Sequence, residues 1–190
     1  MAKTQKRNQH TCKPLKWDEE FTPFLDQLSI LIHEAEGKRK IRLARYQSII
    51  AIGGYLGLKP TDLLGSLWSD FIDKGLKDVY NYNTQNNLRL YYPKRLLKLI
   101  SSNYQIVKPP ASTQIIMLAP NQTSKSISLI AFNKALKKLL QHSGIDTKSP
   151  SSEILRKTFG LRLFRILGSD EHALYVTSEI LNNSSVTYTK

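Results

Sequence analysis

The run GKRKIRLAR from Gly37 to Arg45 places Lys38, Arg39, Lys40 and Arg42 within five residues. Cations at that density suit the binding of phosphate oxygens, arginine as a planar fork and lysine as a point charge. Lys3, Lys6, Arg7, Lys13 and Lys16 add a second cationic stretch among few apolar residues, which predicts a mobile basic arm over residues 1–20 able to track phosphates. Other chemistries find no matching constellation. His10, His33, His142 and His172 are scattered, with no carboxylate or cysteine spacing that suggests a metal site. Cys12 is the single cysteine, so neither an internal disulfide nor a cysteine metal cluster is expected. The glycine-rich GGYLG, Gly53–Gly57, lacks the closing Lys and Ser/Thr of a phosphate-binding P-loop. No cofactor is predicted.

Across the chain 28 Lys and Arg stand against 15 Asp and Glu, a net charge of +13 that attracts polyanions. Nucleic acid is the leading partner. An acidic membrane surface competes as an explanation, but no basic helix carries Trp and Phe on an apolar face, and surplus lysine also serves solubility. The longest apolar stretch, Ser48–Leu58, is well short of the roughly 20 residues needed to cross a bilayer. The first residues have charge but no apolar segment behind them, unlike a secretory signal. A soluble, cytoplasmic protein is expected.

The elements that must position these charges follow from periodicity. One helix is predicted from about Phe24 to Glu36, with Leu25, Leu28, Ile32 and Ala35 on one face and Gly37 ending it. The cationic run then leads into a buried helix over Tyr46–Leu56, stopped by Gly57, and a further helix is capped near Thr61 with Asp62 in its first turn. Val79–Tyr82 and Leu88–Tyr92 read as a hairpin joined by NTQNN. Pro93 breaks the second strand and KRLLKLI returns to helix; residues 108–126 form a connection with a short extended segment. Helices follow at Leu129 to near Gly144, around Leu155–Leu167, and from about Glu171 to Leu181. The fold class is mainly α with a small antiparallel sheet, α+β, in one main domain over residues 21–190.

Three segments, in order, resemble landmarks of the tyrosine recombinases, the phage-integrase family. GLKPTDLLGSLWSDF is similar to the segment Gly-Leu-Arg-x-x-Glu-Leu-x-x-Leu-x-Trp-x-Asp, matching at Gly57, Leu58, Asp62, Leu63, Leu67, Trp68 and Asp70. SSEILRKTFGLRLF resembles His-x-Leu-Arg-His-Thr-Phe at Leu155, Arg156, Thr158 and Phe159. ILNNSSVTYTK resembles the Leu-Gly-His-Ser-Ser block at Leu181, Ser184, Ser185, Val186 and Thr189. The resemblance implies a helical catalytic domain gripping duplex DNA from one side. The residues before about position 40 are too few for the core-binding domain that grips the other side in full-length members.

The resemblance also implies a chemistry: a tyrosine attacks phosphorus, forms a 3′-phosphotyrosine bond and releases a 5′-hydroxyl without metal, so fixed cations must stabilise the phosphate charge. Arg156 falls at the second of two arginine positions, and Lys59 at the first, where charge is kept but the fork is lost. Asn83 falls at the hairpin lysine that acts as general acid, which an amide cannot do. Glu153 replaces a histidine or lysine three residues before Arg156 and brings a repelling charge to the phosphate. Lys157, next to Arg156, adds a cation that offsets it in part. Asn183 replaces the third-block histidine and can donate but not take a proton. The nucleophile position falls just past Lys190, and Tyr188 lies about one helical turn short of it.

These substitutions predict a DNA-binding, recombinase-like protein of site-specific recombination or integration in a mobile element, with impaired or no strand cleavage, acting with copies of itself or beside an active recombinase. An active recombinase is the first alternative. The second is a helical nucleic-acid-binding adaptor of no recombinase ancestry, in which Lys59 and Arg156 would lie far apart. The recombinase readings require Lys59, Asn83, Arg156 and Asn183 to meet on one cationic surface.

Overall fold

The computed structural model describes residues 12–82, 88–147 and 150–181. Asn83, Asn183, Tyr188 and the first eleven residues of the expected basic arm lie outside the described residues. The rest builds on one helix. Helix α2, Gly37–Leu56, is solvent-facing at its cationic start and buried almost without a break from Leu43 to Leu56. Such all-round burial requires partners on several sides. Helix α1, Thr22–Glu34, packs along it through Phe24, Leu25, Leu28 and Ile32; α4, Lys94–Val107, through Leu96, Ile100 and Asn103; and α6, Glu153–Ile166, through Ile154 and Leu155.

Between these lie α3, Pro60–Gly65, a 3₁₀ turn at Trp68–Asp70, and a two-stranded antiparallel sheet of β1, Val79–Asn81, and β2, Arg89–Tyr91, with Tyr80 opposite Leu90. Helix α5, Leu129–His142, opens on a cap in which the Ser128 hydroxyl accepts from the Ala131 N–H; α7, Glu171–Ile180, opens on an equivalent Asp170 cap at 2.7 Å. The connection 108–126 is extended in part, through bridges Leu67 to Ile115 and Leu118 to Ser126. This is the predicted α+β class. No helix among the described residues is long and apolar enough to cross a membrane.

Three local expectations are corrected. Gly37 does not end α1, which stops at Glu34 with Ala35 extended; with φ +51° it opens α2 after a two-residue turn. Helix α3 is capped at Lys59 rather than Thr61, because Pro60 supplies a preset φ and needs no N–H partner at the first helical position. Residues 12–20 belong to the packed body instead of a mobile arm. Leu15 is 1% exposed, its N–H donates to Thr158 Oγ1 at 2.9 Å, and a π-helical turn, Trp17–Phe21, packs its aromatics edge-on against Tyr55. Gly54 of α2 serves this contact: a Cβ there would sit 2.0 Å from the buried Phe21 ring.

Candidate nucleic-acid interface

Arg156 lies in the first turn of α6 and reaches the ends of two other helices. Its Nη1 donates to the Gly57 carbonyl at 3.0 Å and its Nη2 to the Leu181 carbonyl. These oxygens belong to the residues that cap α2 and α7, where helices leave carbonyls unpaired and carry partial negative charge. A guanidinium there satisfies both. Burial pushes its pKa down while Glu153 and Asp62 oppose the change, and arginine stays charged throughout.

Two further chain segments meet the same corner. The Tyr82 hydroxyl donates to the Leu56 carbonyl at 2.9 Å, its ring stacks on Phe159 of α6, and its N–H closes the hairpin onto Leu88. Burial pushes this phenol far above its ordinary range. Lys59 is exposed and stands two residues beyond Gly57, within about 7 Å of chain reach. The end of α2, Tyr82 at the entrance to residues 83–87, the first turn of α6 and the end of α7 thus converge around Arg156. Lys59 thus follows by two residues the carbonyl that Arg156 holds.

Lys157 does not share that corner's role, because its ammonium donates to the Cys12 carbonyl at 3.1 Å and holds the N-terminal segment on α6. The cationic run is also divided. Lys40 lines a groove between α1 and α4, whereas Arg42, roughly 200° around α2 at about 100° per residue, lines a seam with α5. Lys134 and Lys138 of α5 face Arg42 across this seam, whose floor includes Tyr46 stacked on Phe132. Lys38 and Arg39 are exposed at the start of α2. Lys134 and Lys138 were missed in the sequence. Their signal is the one-turn spacing between the buried Phe132, Leu136 and Leu140, which turns both ammonium groups outward.

The seam and the corner lie on one side of α2. Arg42, Tyr46, Gly53 and Gly57 follow at spacings of four, seven and four, a single stripe at 3.6 residues per turn. Gly53 in that stripe faces Leu155 of α6 and Leu63 of α3. From Arg42 to Gly57 the stripe runs about 22 Å, roughly six base-pair steps of a duplex. Among the described residues no three His, Cys, Asp or Glu side chains gather as a metal site.

No family model matches the sequence, and no curated protein matches it. Solved structures do. The XerH site-specific recombinase bound to difH substrate in a pre-cleavage complex is similar at TM-score 0.67 and 16% identity, covering 93% of this chain and 49% of that one. The XerA recombinase is similar at TM-score 0.63 and 20% identity, over 97% and 59%. The Tn1549 transposon integrase, in complex with circular intermediate DNA, follows at TM-score 0.58 and 13% identity, over 93% and 59%. The chain therefore spans half to three-fifths of the length of these structures. At such identities the likeness establishes the fold, that of a tyrosine-recombinase catalytic domain.

Proposed function

We propose that this chain binds duplex DNA in site-specific recombination or integration, through the cations at the two ends of the buried helix α2, the α5 seam and the Arg156 corner, with strand cleavage impaired or lost. The observation that carries the reading is the placing of cations at both ends of one buried helix: Arg42, Lys134 and Lys138 at its start, Arg156 and the neighbouring Lys59 at its end, about 22 Å apart along the axis. Two of the similar structures hold DNA, and a net charge of +13 supplies the attracting field.

At the corner, the Gly57 and Leu181 carbonyls hold the Arg156 guanidinium in a set plane, so a phosphate meets a positioned fork rather than a searching side chain. Lys59 contributes charge without the second parallel hydrogen bond. Glu153, close enough to Arg156 to raise its pKa, competes with phosphate for the same guanidinium. Asn83 and Asn183, at positions where the family resemblance implies a proton donor or acceptor, lack that capacity. Binding survives such changes better than catalysis, because binding needs charge whereas catalysis needs charge in reaction geometry. In this reading the chain occupies a recombination site beside copies of itself or an active recombinase.

The test pairs two measurements on the full chain. Reversing the seam with Arg42→Glu and Lys134→Glu is expected to weaken duplex binding at least about tenfold, whatever the DNA sequence, since phosphate contacts position without specifying. Incubation with nicked suicide duplexes is expected to leave no covalent protein–DNA adduct. Unchanged affinity in the reversed variant would remove the seam from the interface; a detergent-resistant adduct would show that cleavage is intact.

A further inference from the structure

A groove lies on the other side of α2. It holds about 800 Å³ between α1 and α4, within the usual size of small-ligand pockets. Its floor is a buried polar network whose hydrogen bonds can be oriented one by one. The Leu25 carbonyl only accepts, so the Gln47 amide nitrogen must face it, at 2.8 Å. Gln47 Oε1 then points the other way and receives Asn103 Nδ2 at 2.9 Å, with Ser48 Oγ at 3.1 Å from the same nitrogen. Asn103 Oδ1 is left over. The residue is 3% exposed and lines the groove, and the hydrogen bonds it makes among the described residues use its nitrogen. Its oxygen is not one of the buried unpartnered atoms, so it is open to the groove, where a ligand's donor can reach an acceptor whose plane is already fixed.

Lys98 stands five residues from Asn103 on α4, about 7.5 Å along the axis. It has no ion pair among the described residues. Arg95, one turn further, bridges to Asp26 of α1 at 2.6 Å, which offsets the one carboxylate that lines the groove. Ile32 and Leu99 supply apolar walls between these polar points. A cation end, an apolar middle and a hydrogen-bond acceptor at that separation match a nucleotide from phosphate to base edge. A DNA duplex at the Arg42 seam lies on the opposite side of α2.

We propose that this groove binds a nucleoside monophosphate, with phosphate at Lys98 and Arg95 and an exocyclic base amine donating to Asn103 Oδ1. The site is independent of the DNA reading. Calorimetric titration of the full chain with adenosine 5′-monophosphate is expected to show binding. Adenosine, inorganic phosphate and the N6,N6-dimethyl nucleotide, which lacks the donor, should each bind at least about tenfold more weakly. Lys98→Glu, at an exposed position, should cause a similar loss while leaving duplex affinity within about twofold. Absence of nucleotide binding at millimolar concentration, indifference to Lys98→Glu, equal binding of the dimethyl analogue, or displacement of the nucleotide by blunt duplex without terminal phosphates would each overturn the proposal.

Discussion

Arg156→Ala is expected to lower both the stability of the fold and its affinity for duplex DNA. The side chain caps α2 at Gly57 and α7 at Leu181, and hydrogen bonds from a charged donor contribute about 1.5–3 kcal/mol each when buried. With the guanidinium only half-buried, the combined loss should be about 2–4 kcal/mol in urea unfolding, with an unchanged dependence on denaturant. Duplex affinity should fall at least about tenfold at low salt, as a positioned phosphate contact disappears. Arg156→Lys separates the two effects. An ammonium cannot span both carbonyls in a plane, so stability should remain low while part of the DNA affinity returns. Unaltered stability in the alanine variant would contradict the capping role. Unaltered affinity in a folded variant would remove the corner from the DNA surface.

Gly57→Ala is expected to be at least as damaging, for a different reason. Gly57 ends α2 with φ +62°, and its N–H closes the helix onto the Gly53 carbonyl at 2.9 Å. A side chain in this left-handed conformation costs about 1–2 kcal/mol. An added Cβ would also stand 2.2 Å from the Phe159 ring, which is 3% exposed and stacked on Tyr82, and overpacking adds about 1–3 kcal/mol. Thermal and urea unfolding should therefore show a loss of about 2–5 kcal/mol. Because the ring and the Gly57 carbonyl shape the Arg156 corner, DNA affinity should drop with it. Phe159→Leu introduced into Gly57→Ala relieves the clash but not the backbone strain, so it should recover part of the stability. No recovery would assign the whole effect to φ.

Local periodicity made much of this fold legible. Helices α5 and α7 begin where Ser128 and Asp170 supply caps and where apolar spacing is clean. The hairpin followed from tyrosine- and leucine-rich runs about a polar turn. What stayed hidden depended on contacts far apart in sequence. Leu15 and Trp17 sit among lysines and read as part of an arm, yet α6 receives the Leu15 N–H from 143 residues away. Gly53 and Gly54 invited comparison with a phosphate loop, whereas neighbouring side chains fill the space a Cβ would need.

Motif order singled out Arg156 and Lys59, but the division of the cationic run was not legible. In sequence, Lys40, Arg42 and Arg45 form one basic cluster. In the fold, Lys40 faces the α1/α4 groove, Arg42 faces α5, and Arg45 donates inward to the carbonyls of Ile115 and Ile116 and to Gln114 Oε1. Helix rotation and tertiary packing make that assignment, so charge density alone overstates the cations open to phosphate. Lys157 is a parallel case, drawn to the Cys12 carbonyl. Lys134 and Lys138 are the reverse, ordinary surface lysines until α5 is placed beside α2.

Salt dependence of duplex binding, followed by fluorescence anisotropy, tests the central claim most directly. Arg39, Arg42, Lys59, Lys134, Lys138 and Arg156, gathered towards the two ends of α2, amount to about six phosphate contacts, and counterion release then gives a log–log slope of roughly −5. A slope of about −4 or steeper, made shallower by roughly two when Arg42 and Lys134 are reversed, is the result this account predicts. A flat response to salt, or a slope untouched by those reversals, would contradict a DNA interface at the ends of α2.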